Sequence, residues 1–252
     1  MTGMDKSVVS RMISACEPDG WVVRENGRIS LGPRAALLAH SSASAEFVRQ
    51  AMPVVETISG VTGMQSQVYV LVGTRAVIVA SAGGRLGIGV GLGSSVPLFA
   101  TAAGTVIASQ LSEAELDRLL PPEPFPDATT DMIGHPEYAA FTAATFATTP
   151  RRSLRPDAAG CSRNELDRRI GQIRVSGVAL DHGEIHPELG CIAVPWPRSA
   201  VRAALACMGS LMEVQDSEDL ALAVLRAAAA PGATRRDVVA VAAAARDSRS
   251  RP

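Results

Sequence analysis

Apolar residues first recur at helical spacing and later alternate, so the chain reads as a mixture of helices and strands. Over residues 5–17, Val8, Val9, Met12, Ile13 and Cys16 fall on one stripe, and Asp5 is placed to cap the start. Pro18-Asp19-Gly20 stops that helix. Residues 21–24 and 28–31 then read as two short strands around Glu25-Asn26-Gly27, and Asn-Gly is a strong hairpin signal. A helix followed by a small hairpin with a basic residue on each arm is the second half of a winged helix-turn-helix.

Gly32-Pro33 breaks the pattern, and residues 34–40 can begin a linker helix. The spacing predicts an amphipathic helix over 45–59, interrupted or bent at Pro53. Strands are expected over 67–72, 76–80 and, glycine-rich, 87–93, followed by a small-residue helix over 99–110. Ser112 and Glu115 form a capping box for a helix over 112–120, which the prolines of 121–126 end. Residues 128–160 read as loop plus a short helix, and 164–176 as a charged helix. Strands over 178–180, 190–195 and 201–208 follow, then helices over 217–228 and 233–245 and a frayed tail from 246. Two blocks of strands, each followed by helices and without steady βαβ alternation, predict an α+β fold on a mostly antiparallel sheet. No internal repeat is apparent. The expected organisation is a head over 1–31, linker helices over 32–60, a large domain over 61–247 and a disordered tail over 248–252.

Composition narrows the function. Of 252 residues 47% are hydrophobic but only 4% aromatic, so the core must be built from Ala, Val, Leu and Ile. A formal net charge of −1 excludes a surface coated in basic charge, though not one small basic element. Cys16, Cys161, Cys191 and Cys207 form no CxxC pair, which fits a reducing compartment. There is no signal-like apolar start and no run of eighteen apolar residues, so a soluble cytoplasmic protein with no membrane partner is expected.

Three further stretches carry a resemblance. Pro97-Leu98-Phe99-Ala100-Thr101-Ala102-Ala103-Gly104 is similar to a Pro-Leu-His-x-x-x-x-Gly helix start. Arg174-Val175-Ser176-Gly177-Val178-Ala179-Leu180-Asp181 resembles an IRxxGYAxD stretch. Glu184 followed by Gly190-Cys191-Ile192-Ala193-Val194-Pro195 resembles an E…GxxCIAxPV block. With the helix and hairpin of residues 5–35, their order resembles the IclR family of bacterial transcription regulators. The resemblance implies a GAF/profilin-like effector domain behind a winged helix-turn-helix, a homodimer or homotetramer, operator DNA and a small-molecule effector as partners, and no cofactor or catalysis.

The chain departs from the family pattern in three places. Met1 falls almost at the recognition helix, so the head is expected to be partial, lacking the two helices that the family places before it. Phe99 and Thr105 stand where the family usually has His and Lys or Arg. Ala206 and Met208 stand where family members often have serines. A ligand-binding dimer that acts through protein partners, having lost DNA binding, is therefore the competing expectation.

The resemblance places Lys6, Ser7, Ser10 and Arg11 on the recognition helix and Arg24 and Arg28 on the wing, to hold base edges and phosphates. Against this stands an ordinary capped, solvated helix. It also implies effector contacts from Val96, Ala102, Ala103, Asp181, Cys191, Ala206 and Met208, with the backbone amides of Ala102 and Ala103 holding an acid group. Without the serines, the expected effector is a more apolar aromatic or aliphatic acid. The competing reading makes Cys191, Ala206 and Met208 plain core residues.

Gly87, Gly89, Gly91 and Gly93 form neither GxGxxG nor GxxxxGK[ST], so they more readily clear one strand face than bind phosphate. His182, Glu184, His186 and Glu188 share one parity and could hold a divalent cation, but Gly183 and Pro187 favour a solvated turn. No GxSxG, HExxH or close Cys/His pair is present, and Cys161, beside Ser162 at a helix start, reads as an idle thiol.

Overall fold

The computed structural model describes residues 5–25, 27–34, 43–83, 92–126, 162–183, 188–197 and 201–249, the side chains of 43–45 and 249 excepted. The chain divides into two compact units, Met1–Gln50 and Ala51–Pro252. The glycine-rich positions 87, 89 and 91, Cys161, Glu184, His186 and the expected loop of 128–160 lie outside the described residues.

In the first unit, helix α1 (Lys6–Cys16) starts where the Asp5 carboxylate accepts from the Ser7 amide at 2.7 Å. Strands β1 (Val22–Glu25) and β2 (Arg28–Leu31) form the expected hairpin, with Val22 opposite Leu31 and Glu25 opposite Arg28. The hairpin is tied back where the Gly32 amide donates to the Trp21 carbonyl at 2.7 Å, and Arg34 stacks over the Trp21 ring at 5.1 Å. No residue of α1 is buried, and Met12 and Leu31 are exposed.

Helix α2 (Ala43–Thr62) carries Pro53 inside it, so the expected interruption does not occur. A helix can continue through proline when one carbonyl gives up its backbone donor. The carbonyl that loses its helical donor is that of Arg49, four residues before Pro53; the Pro53 carbonyl in addition accepts from the Thr57 hydroxyl at 2.7 Å.

The second unit is built on a six-stranded sheet. Its strands are β3 (Gln65–Val72), β4 (Arg75–Ala82), β5 (Ser95–Pro97), β6 (Ala179–His182), β7 (Leu189–Pro195) and β8 (Ala203–Ser210). The order is β5-β4-β3-β8-β7-β6 and every pairing is antiparallel. Two meanders thus join along β3 and β8, which bears out the α+β class. β5 was not foreseen: at three residues ending in proline it suits only a sheet edge.

Every residue of β3 from Gln65 to Val70 is buried, so both faces of the sheet are covered. One face packs beneath helices α3 (Ala102–Ser109) and α5 (Arg163–Ser176), with α4 (Glu113–Leu119) between them in the chain. Leu166, Ile170 and Ile173 of α5 join Tyr69, Ile78, Ala193 and Ala206 in one apolar cluster. Across the other face lies α6 (Leu211–Ala229), against which α7 (Arg235–Arg249) packs. A Cβ on Gly190 would come within 2.9 Å of the Val214 side chain, so β7 and α6 meet closely there.

α6 begins well before the expected residue 217 because Ser210 ends β8 and also caps the helix. Its hydroxyl accepts from the Glu213 amide at 3.2 Å, and the Glu213 carboxylate accepts from the Ser210 amide at 2.9 Å. Strand passes to helix with no connecting loop for the eye to catch. α7 likewise continues to Arg249, into the stretch expected to be a tail. Among the described residues no helix is long and apolar enough to cross a membrane.

α3 is buried at every position, which an all-small sequence allows. Thr101 caps it, and a Cβ at Gly104 would stand 2.2 Å from the Pro97 carbonyl oxygen. Its far end is pinned from two elements. Arg174 of α5 donates to the Ser109 and Leu111 carbonyls at 3.0 and 2.7 Å, and the Gln110 side chain donates to the Ala203 carbonyl at 2.9 Å. Gly104→Ala is therefore expected to lower stability by about 1–3 kcal/mol, as overpacking against fixed backbone does. Urea denaturation at unchanged m-value checks it, and a wild-type midpoint would contradict the close approach.

Candidate functional site

Register gathers the expected effector residues. Asp181 of β6 lies opposite Cys191 of β7, Cys191 opposite Met208 of β8, and Met208 opposite Gln65 of β3. Two residues along, on the same face, Ala179, Ala193, Ala206 and Gln67 form the next rank. A third rank runs through Pro195, Ala204 and Tyr69 to Ile78.

Val96, Ala102, Ala103, Cys191 and Ala206 belong to the one apolar cluster on this face, and Met208 packs against it. Asp181 is 7% exposed. Val96 stands apart in the sheet, on the edge strand β5 opposite Ala76. At the start of α3 the Thr101 hydroxyl accepts from the Gly104 amide at 2.9 Å, and the Thr105 amide bonds to the Thr101 carbonyl. The amides of Ala102 and Ala103, in the first turn, have no intrahelical acceptor. Thr105 turns its hydroxyl onto its own helix, at 2.9 Å from the Thr101 carbonyl. Phe99 stacks on Phe125 with centroids 4.8 Å apart, so neither residue of this departure from the family pattern turns a polar group into the cluster.

Sequence reasoning missed the polar part of this face. Gln65, Gln67 and Tyr69 are 6%, 0% and 4% exposed and stand at alternate positions of β3. The Tyr69 hydroxyl donates to Gln67 Oε1 at 2.6 Å. Their spacing was the available signal: polar side chains at i, i+2 and i+4 of an otherwise apolar strand share a face.

Burial sets the chemistry. It pushes the Tyr69 phenol well above its ordinary value, helped by the Cys191 thiol. The Cys191 thiol is itself pushed well up, chiefly by burial and then by the Asp181 carboxylate and Cys207. Cys207, on the opposite face beside Ser66, is pushed up to about 12 by burial, against a lowering hydrogen bond with Thr62. No thiolate nucleophile is prepared on this face.

The expected DNA set lies in the first unit. Lys6, Ser7, Ser10 and Arg11 are exposed on α1, and Arg24 and Arg28 on the hairpin. Ser7 is engaged by the Asp5 carboxylate, which it holds below its ordinary value. Arg24 meets Glu17 at 3.3 Å, and Arg28 stands opposite Glu25, so each wing arginine has an acidic neighbour. His182, from the considered metal set, instead meets Glu218 of α6 at 3.3 Å. Among the described residues no group of three or more His, Cys, Asp or Glu could hold a metal.

The second unit is an antiparallel α+β domain with a buried polar row on its central strand β3, and in the chain it follows a helix-and-hairpin unit. The model for "Bacterial transcriptional regulator IclR C-terminal" matches residues 39–231, and the chain belongs to the IclR family of transcriptional regulators. It is a regulator with a ligand-binding C-terminal domain, not an enzyme. It is 29% identical over 225 residues to the HTH-type transcriptional regulator XynR of Escherichia coli K12, covering 86% of this chain and 79% of that protein. The fold is similar to that of an IclR transcriptional regulator from Alicyclobacillus acidocaldarius, with a TM-score of 0.64 and 21% identity over 95% of this chain and 86% of that one. It is also similar to an IclR homologue from Microbacterium hydrocarbonoxydans complexed with 4-hydroxybenzoate, at a TM-score of 0.62 and 20% identity over 96% and 87% of the two chains.

The thiols allow a direct check of the burial. At pH 8 a group with its pKa near 12 is about one part in ten thousand thiolate, because a raised pKa leaves the proton on. Iodoacetamide should therefore label the partly exposed Cys16 in the native protein and reach Cys191 and Cys207 only after guanidinium unfolding. Mass spectrometry of the alkylated peptides reads this, and native labelling of Cys191 at the rate of Cys16 would contradict the closed face.

Proposed function

We propose that this regulator binds operator DNA through α1 and the β1–β2 hairpin, and that its C-terminal domain senses a small organic acid with an apolar body. Two open backbone amides, those of Ala102 and Ala103, carry the reading. They stand at a buried helix start in the same cluster as Cys191 and Ala206. Such amides and the helix dipole suit a carboxylate, while methyl groups on the sheet suit an aromatic or aliphatic remainder. The Microbacterium homologue complexed with 4-hydroxybenzoate supports an acid of that size.

For DNA, Lys6 and Ser10 lie one turn apart on α1, as do Ser7 and Arg11, so all four belong to its exposed N-terminal turns. Arg24 and Arg28 serve phosphate, and their neighbouring carboxylates moderate non-specific attraction. A homodimer or homotetramer presents two or more such heads, and effector binding near Asp181, Cys191, Ala206 and Met208 alters their spacing. A second reading, a ligand-binding dimer acting through protein partners, is favoured by the absence of any buried residue in α1.

Gel-shift of the full chain against the DNA flanking its own gene separates the two. Nanomolar binding in the presence of competitor DNA, falling about tenfold or more in Arg11→Ala, is expected for operator recognition. No specific binding would leave the second reading. For the effector, benzoate at about a hundred times its Kd should raise the melting temperature by roughly 5 °C. A set of aromatic and aliphatic acids without effect on melting would sink the acid reading.

A further inference from the structure

The polar side chains of β3 are not needed to close the core. In their two ranks the residues on β8, β7 and β6 are Ala206, Ala193 and Ala179 beside Gln67, and Ala204 and Pro195 beside Tyr69. Gln67 and Tyr69 therefore stand at one side of a floor of methyl groups that crosses three strands, about 14 Å at ordinary strand spacing. An apolar pair there would complete the floor at no polar cost, whereas a buried amide and phenol must keep their hydrogen bonds. The 2.6 Å bond from the Tyr69 hydroxyl to Gln67 Oε1 uses the tyrosine's proton and fixes both side chains. It leaves the lone pairs of the Tyr69 oxygen free of that bond as acceptors. Burial keeps this phenol neutral, and its bond to Gln67 holds the hydroxyl beside the neighbouring Gln67 rank.

We propose that Tyr69 and Gln67 are specificity-determining residues of the effector site, receiving a hydroxyl or similar neutral donor carried by the ligand in addition to its acid group. The proposal rests on the reading of this domain as an acid sensor. The effector is then an acid whose apolar body bears a hydroxyl, and a bare hydrocarbon acid leaves the Tyr69 oxygen without its partner. Sites built to hydrogen-bond a hydroxyl discriminate strongly against the analogue that lacks it.

Titration calorimetry of the full chain with benzoate, 3-hydroxybenzoate and 4-hydroxybenzoate tests this. In the wild type one hydroxy acid should bind at least about tenfold more tightly than benzoate. In the Tyr69→Phe, Gln67→Leu double variant that preference should collapse to less than about threefold. Tyr69→Phe alone, which keeps the ring and its packing, should lose most of the preference and serves if the double variant melts early. Equal affinities in the wild type, or a preference that survives in both variants, would overturn the proposal while leaving the acid sensor standing. Failure of all three acids to bind would overturn the acid reading and this proposal with it.

Discussion

The pairing of β3 with β8 is the contact on which the C-terminal domain depends. β3 belongs to the meander β3–β4–β5 and β8 to the meander β6–β7–β8, and well over a hundred residues separate them in the chain. Closing so long a loop is costly in entropy, though the cost grows only slowly with length, and burial on both faces offsets it. Without this seam each half would be a small sheet with one apolar face open. With it, residues from four strands fall into continuous ranks, and α3 and α5 have a single surface to cover.

The same seam composes the proposed effector site. Asp181 and Cys191 come from one meander, Gln67 and Tyr69 from the other, and only the β3–β8 register brings the two sets to one face. α3 supplies open amides because its small side chains let a helix start lie buried, and because Gly104 admits the Pro97 carbonyl. Arg174 and Gln110 hold the other end of that helix, which keeps the amides in place relative to the sheet. Scaffold and site are thus one set of contacts.

The first unit follows a different logic. Its hairpin is held by a few backbone bonds, one arginine–tryptophan stack and one arginine–glutamate pair, and its helix buries nothing. Such a unit exposes its basic residues readily and contributes little core of its own.

Local chemistry was enough to read much of the chain. The Asp5 cap, the Asn-Gly hairpin signal, the Ser112–Glu115 capping box and the β-rich runs of β3 and β4 are short-range effects, legible from neighbouring residues. So was the family, from motifs whose order needs no contact map. What lay beyond sequence was anything set by partners far along the chain. Pro53 sits inside a helix because the helix around it outweighs one lost bond. β5 is a strand only because β4 is there to pair with it, and Ser210 ends a strand and starts a helix in one residue. The placement of Gln67 and Tyr69 was hidden for the same reason: their parity was written in the sequence, but which strands they neighbour was decided by the tertiary pairing of β3 with β8.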